Sequence, residues 1–124
     1  MSYKLHITKA AERDLIDAAD YIEFTLKNPE AADHLLVVAE ERFNSLIPKP
    51  EIHPIVDDPI LSAWQIRFIV INNYIGFYLI HNDIIYIVRF LYGKRDWHTI
   101  LKQGISLMLL TVGFVRNQSE VFVR

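Results

Sequence analysis

The chain has 124 residues, of which 52% are apolar and 12% aromatic, with a net charge of −2 and no cysteine. That length and composition describe one folded domain and exclude a disordered chain, while the absence of thiols excludes a disulfide scaffold, a cysteine nucleophile and a cysteine-ligated zinc site. Charge is uneven: residues 1–63 carry 6 Lys/Arg against 12 Asp/Glu, and residues 64–124 carry 7 against 3, so the second half suits an anionic partner without making the whole chain a nucleic-acid binder.

From the N-terminus, Tyr3-Lys4-Leu5-His6-Ile7 alternates apolar and polar, the pattern of a short strand with one buried face. The start turns polar at Thr8-Lys9 and lacks the apolar stretch of a secretory signal, so a cytoplasmic location is expected. Thr8 stands at a helix N-cap, with Glu12 and Asp14 favouring the positive end of the helix dipole. Ala11, Leu15, Ala18, Ala19, Ile22 and Leu26 then recur at helical spacing. Asn28-Pro29 breaks this helix and opens a second, whose apolar face is Ala32, Leu35, Leu36, Ala39, Phe43, Leu46 and Ile47. So tight a break predicts an antiparallel helix hairpin. Pro48, Pro50, Pro54 and Pro59 predict an exposed, irregular loop, which also carries Lys49, Glu51 and His53.

Three β-rich runs follow, at residues 64–71, 74–81 and 84–91, with Asn72-Asn73 and Asn82-Asp83 as tight turns. They are apolar on both faces, so the sheet is covered on one side and largely shielded on the other. Asp96 is placed to cap a short last helix ending at Leu101. The predicted class is α+β, in the order β-α-α-β-β-β-α, with an antiparallel sheet packed on an N-terminal helix hairpin. Residues 103–124 form an extension of unclear role. Its apolar run, residues 105–115, is too short for a membrane span of about 20 residues.

Several of these segments, in this order, resemble the RelE/ParE toxin superfamily of type II toxin-antitoxin systems. They are Tyr3 to Thr8 leading into Ala10-Ala11-Glu12-Arg13-Asp14-Leu15, then Tyr21-Ile22, Asn28-Pro29-Glu30-Ala31-Ala32, Ile66-Arg67 and Asn72-Tyr74. The last is Val88-Arg89-Phe90-Leu91-Tyr92-Gly93-Lys94-Arg95-Asp96-Trp97. The resemblance covers residues 3–102, within an expected toxin domain of residues 1–102, and implies a cognate antitoxin as partner; no cofactor and no metal are expected. It implies one of two targets: the ribosome, where RelE-like members cut messenger RNA, or DNA gyrase, which ParE-like members poison without nuclease chemistry. A decayed toxin that keeps only antitoxin binding is the remaining alternative. Oligomeric state is open.

Cutting RNA through its own 2′-hydroxyl needs a base, a cation on the phosphate and an acid on the leaving oxygen. Arg67 and Arg89 match positions where RelE-like members keep phosphate-contacting arginines, and Tyr92 or His98 suits the acid. These four are the catalytic candidates, and the alternative is that each arginine pairs with an acid such as Glu23 or Asp20. Lys94, Arg95 and Trp97 are candidates for partner contact, since cations hold phosphate and rings stack on bases. Their alternative is structural: Trp97 in the core, Asp96 as a cap and the cations solvated. Glu51 and His53 are weaker candidates for the base. His6, His34 and His81 show no metal-ligand spacing. The pI of 6.2 and the Tyr92-to-Trp97 run point toward the ParE branch.

Overall fold

A computed structural model describes residues 2–112. In chain order they form β1 (Lys4–Ile7), α1 (Lys9–Asp20) continued by one π-helical turn (Tyr21–Thr25), α2 (Pro29–Asn44), a 3-10 turn (Pro50–Ile52) and α3 (Pro59–Ala63). Then come β2 (Arg67–Ile71), β3 (Tyr74–His81), β4 (Ile84–Tyr92) and α4 (Trp97–Val112). The class is α+β, as the sequence predicts.

Local chemistry sets the helix ends. The Thr8 hydroxyl accepts from the Ala11 amide, and Asn28 does the same for Ala31, with Pro29 in the first turn of α2. Proline fits there because its missing N–H would have no helical partner in any case. Asn82 and Asp83 both adopt positive φ, 51° and 63°, the geometry a two-residue hairpin turn requires.

The sheet order is β1-β4-β3-β2. The β2-β3-β4 meander is antiparallel, but β1 joins β4 in parallel, with Lys4 opposite Ile84 and Ile7 opposite Ile87. The sheet is therefore mixed where a wholly antiparallel one was expected. A parallel neighbour needs a long crossover, and the helix hairpin with two strands supplies it.

Both faces of the sheet are covered. On one, α1 and α2 bury Ala11, Leu35, Ala39 and Phe43 against Ile69, Tyr78, Ile85, Ile87 and Phe90. On the other, α3, α4 and the segment before β2 bury Val56, Leu61, Ile66 and Leu101 against Phe77, Leu79, Tyr86, Val88 and Leu91. Gly76, in mid-β3, lets α2 approach closely: a Cβ there would lie 2.7 Å from the Phe43 ring and 3.3 Å from Ile69.

Two expectations are corrected. The proline-rich stretch is not a loose loop. Arg67 Nη1 donates to the carbonyls of Glu51 (2.9 Å) and His53 (2.6 Å), and the buried Tyr78 hydroxyl donates to the Pro50 carbonyl (2.6 Å). The Phe68 amide donates to Pro54, and Val56 to Ile66. The prolines leave carbonyls without local partners, and the edge of β2 supplies donors for them. Second, the last helix does not end at Leu101 but continues to Val112, since one glycine, Gly104, costs a helix only about 1 kcal/mol. Asp96 caps it as expected, accepting from the Thr99 hydroxyl at 2.8 Å, which lowers its own pKa. Lys102 Nζ bridges at 2.9 Å to Asp58, the N-cap of α3. The expected boundary at residue 102 thus falls within a continuous helix, and residues 113–124 lie outside the described residues. No helix among the described residues is long and apolar enough to cross a membrane.

Two substitutions test this packing. Gly76→Ala forces Phe43 or β3 to move and is expected to cost about 1–3 kcal/mol, read as a lower midpoint in urea unfolding. Tyr78→Phe leaves the Pro50 carbonyl without its donor and should cost about 1–3 kcal/mol at neutral pH. Burial, opposed by the nearby Arg67 charge, pushes the Tyr78 phenol up from 10.0 to about 12. The fold therefore favours the neutral phenol, and this stabilisation is complete below pH 10 and lost as pH rises from 10 toward 12. The stability difference between Tyr78→Phe and the parent should shrink across that window, as measured by unfolding at stepped pH.

Candidate functional site

β1 ends at Ile7, but β4 continues five residues further, to Tyr92. Its outer edge would be bare there, and α1 covers it. The Thr8 amide and hydroxyl both donate to the Ile87 carbonyl, at 3.1 and 2.9 Å. One turn and a half along α1, Asp14 Oδ2 accepts from the Phe90 amide at 3.0 Å. A helix side chain thus takes the place of a strand partner.

The same carboxylate holds Arg89. Arg89 Nε and Nη2 donate to Asp14 Oδ2 and Oδ1 at 2.6 and 2.9 Å, the paired fork that arginine makes with a carboxylate. The two side chains are only 23% and 11% exposed. A β-bulge sets this up: pairing passes from Ile87–Tyr78 to Arg89–Phe77 and leaves Val88 without a partner, and such a bulge re-aims the next side chain. Arg89 pairs with an acid of the helix hairpin, as the structural alternative held, but that acid is Asp14 and not Glu23 or Asp20.

Beside this junction a cleft of about 580 Å³ opens between α1 with its π-helical turn on one side and the ends of β3 and β4 on the other. Asp14, Asp17 and Tyr21 line the helical wall, and Tyr74, Tyr92 and Arg95 the opposite one. Tyr74 stacks on Phe90 at 4.9 Å, and the Tyr92 ring meets Tyr74 edge-on at 5.6 Å.

Of the residues singled out in the sequence, Tyr92 and Arg95 face this cleft and Arg89 stands behind its Asp14 wall. The others lie elsewhere. Arg67, the partner of Tyr78 in the β2–β3 ladder, is engaged with the proline-rich segment. Tyr78 and Tyr74 are four residues apart on β3, about 13 Å at the usual strand rise. Trp97 packs on Phe77, at 5.2 Å, with the second core cluster, and the exposed His98 stacks on Trp97 at 3.7 Å. Lys94 is an exposed residue of the turn after β4. Near Arg67, Glu51 accepts from the Tyr3 hydroxyl at 3.0 Å, and His53 lies edge-on to Tyr78. Burial, then the charges of Arg42 and Arg67, lower the His53 pKa, so it is neutral at pH 7.

Sequence reasoning missed Asp17, Tyr21 and Tyr74 as cleft residues and treated Asp14 only as a helix-dipole residue. The spacing of Asp14, Asp17 and Tyr21 along one helix face is a signal of a shared wall. No local signal reveals that Asp14 answers Arg89, 75 positions away. The cleft is lined by aromatic rings, with the Asp14 and Asp17 carboxylates on one side and the Arg95 guanidinium on the other, while Arg67 and Arg89 are engaged by the protein itself.

Replacing Asp14 by Asn should cost about 1.5–3 kcal/mol, the range for a hydrogen bond to a charged group, because Arg89 loses its counter-charge. In a double-mutant cycle with Arg89→Met, the second substitution should cost much less in the Asp14→Asn background than alone. Additive losses in denaturant unfolding would mean that the two side chains do not act as a pair.

Comparison with known proteins gives two findings. A family model described as the ParE toxin of the type II toxin-antitoxin system, parDE, matches residues 5–97. A solved structure, the chromosomal ParDE TA system from P. aeruginosa, superposes with a TM-score of 0.62 at 18% sequence identity, over 74% of this chain and 97% of that one. No curated protein matches the chain in sequence.

Proposed function

The chain belongs to the ParE toxin family of type II toxin-antitoxin systems, and from that premise we propose that it is a toxin that arrests growth by binding its target and not by cutting RNA. Its partner in the cell is a cognate antitoxin, in keeping with the toxin-antitoxin system to which the similar structure belongs. The observation that carries the choice of mechanism is the state of the two arginines. A phosphate-stabilising cation has to face the opening and be free to meet charge as it develops. Arg89 is instead held in a paired fork by Asp14, and Arg67 holds two loop carbonyls.

Other features support the same reading. Asp17, the acid on the helical wall of the cleft that no cation pairs with among the described residues, repels a nucleic-acid backbone, and a chain with a net charge of −2 lacks the general attraction that a ribosome-docking protein exploits. Trp97, on which His98 stacks, packs with the second core cluster, whereas Phe90 beside Arg89 belongs to the first, an arrangement that favours separate roles for His98 and Arg89. The resemblance of the run from Tyr92 to Trp97 to the ParE branch makes DNA gyrase the target we assign, with a binding surface built from the exposed Lys94, Arg95 and Tyr92.

The test is a pair of assays on the folded protein. In a cell-free extract translating a defined messenger RNA, primer extension should show an intact message. With purified gyrase, DNA supercoiling should fall as the protein approaches equimolar amounts, and Arg95→Glu should weaken that effect about tenfold or more. Ribosome-dependent cuts that disappear with Arg89→Ala would sink this reading in favour of the nuclease. Intact message together with undisturbed supercoiling would leave a decayed toxin that retains only antitoxin binding.

A further inference from the structure

The growth-arrest reading takes Tyr92 and Arg95 of the cleft beside the Asp14–Arg89 pair for its binding surface, but not Asp17, Tyr21 or Tyr74, which line it as well. Three phenol rings, Tyr21, Tyr74 and Tyr92, and the Asp17 carboxylate line one concavity. The Tyr92 ring meets that of Tyr74 edge-on at 5.6 Å, Tyr21 lines the facing wall, and burial, then Tyr92 and Tyr21, shift the Tyr74 phenol up. Asp14 is neutralised by Arg89, whereas no cation pairs with Asp17 among the described residues. Electron-rich ring faces around an uncompensated carboxylate are what attract an ammonium or guanidinium group.

The rim is unusual as well. Tyr21, Phe24 and Leu26 are 54%, 67% and 56% exposed, and Tyr21 and Leu26 line the cleft itself, so large apolar groups stand open at its edge, as they do at binding sites. All three lie on or directly after the π-helical turn Tyr21–Thr25, a departure from α-helical geometry that frequently marks functional sites. An apolar edge of this kind favours a macromolecular bearer for the cation, since a free metabolite gains nothing from the outer rings.

We propose that this cleft is a receptor for one lysine or arginine side chain carried on a partner protein segment, the cation enclosed by Tyr21, Tyr74 and Tyr92 and answered by Asp17, while the apolar flank of the segment covers Phe24 and Leu26. Arg95 stands on the opposite rim. It repels a bare cation and accepts an acid next to it, so the segment recognised has a basic residue with an acidic neighbour. A nucleic-acid occupant does not fit the acidic helical wall. The toxin reading enters here only in supplying a protein bearer for the cation.

Small probes separate the two ideas. Tyrosine ring resonances of the intact chain are followed by NMR during titration with N-acetyl-arginine methylamide, and with the uncharged citrulline analogue. Saturable shifts at Tyr21, Tyr74 and Tyr92 are expected, with the cation bound about tenfold more tightly than its neutral analogue. Asp17→Asn should remove most of that preference, and Arg95→Gln should tighten the cationic probe several-fold. Tyr92→Leu, at an exposed position, provides a second loss-of-binding variant, with circular dichroism confirming that each variant is folded. Equal affinity for the two probes, no saturable shift, or an unchanged preference in Asp17→Asn overturns the proposal. Gyrase inhibition is read separately, and because the two readings share Tyr92 and Arg95, Asp17→Asn is the variant that separates them: it should lose the preference for the cation while leaving gyrase inhibition unchanged.

Discussion

The structure depends on how the end of β4 is closed. β1 covers only the first half of the outer edge of that strand, and an uncovered edge of buried, apolar sequence would expose unpaired amides and invite aggregation. Thr8 and Asp14 resolve this from the side of α1, Thr8 by donating to Ile87 and Asp14 by accepting from the Phe90 amide. The same carboxylate then neutralises Arg89. One helix face thereby docks α1 on the sheet, ends the parallel pairing and keeps a cation in a largely apolar strand without leaving it unpaired. The bulge at Val88 belongs to this arrangement, because it turns the strand so that Arg89 reaches the helix while Phe90 returns to the core.

A second fastening mirrors it at the other end of the sheet. Arg67 and Tyr78, opposite one another on β2 and β3, hold the proline-rich segment by its carbonyls. Proline lacks an N–H but keeps its carbonyl, so a proline-rich segment is short of donors and is best satisfied by a neighbour that has several. A guanidinium does this well. Both arginines that the sequence offers as catalytic candidates thus act as cross-links between elements, Arg89 through a carboxylate and Arg67 through backbone carbonyls.

The chemistry left at the surface is of a different kind. Tyr92, Arg95, Tyr21 of the π-helical turn and Tyr74 of β3 line one concavity, with charges at its rim and the neutralised ion pair behind it. Such a surface recognises by shape, by ring faces and by a few charges, and it needs no proton transfer. This contrast supports the proposed toxin that works by occupying a protein surface, since a nuclease requires a free cation, a base and an acid around one phosphate.

From the sequence alone came the class of fold, the helix hairpin with its caps at Thr8 and Asn28, the three-strand meander with its two turns, the Asp96 cap and the family. All of these rest on local signals: spacing of apolar residues, capping chemistry and turn residues act within a few positions of one another. Tertiary structure alone decided the parallel docking of β1, the order obtained from the proline-rich segment, the length of α4 and the fate of Arg67 and Arg89. Asp14 finds Arg89 across 75 positions and Arg67 finds Glu51 and His53 across 16 and 14. A charged residue in a strand announces that it needs a partner, but only the folded chain shows whether that partner is its own carboxylate or another molecule.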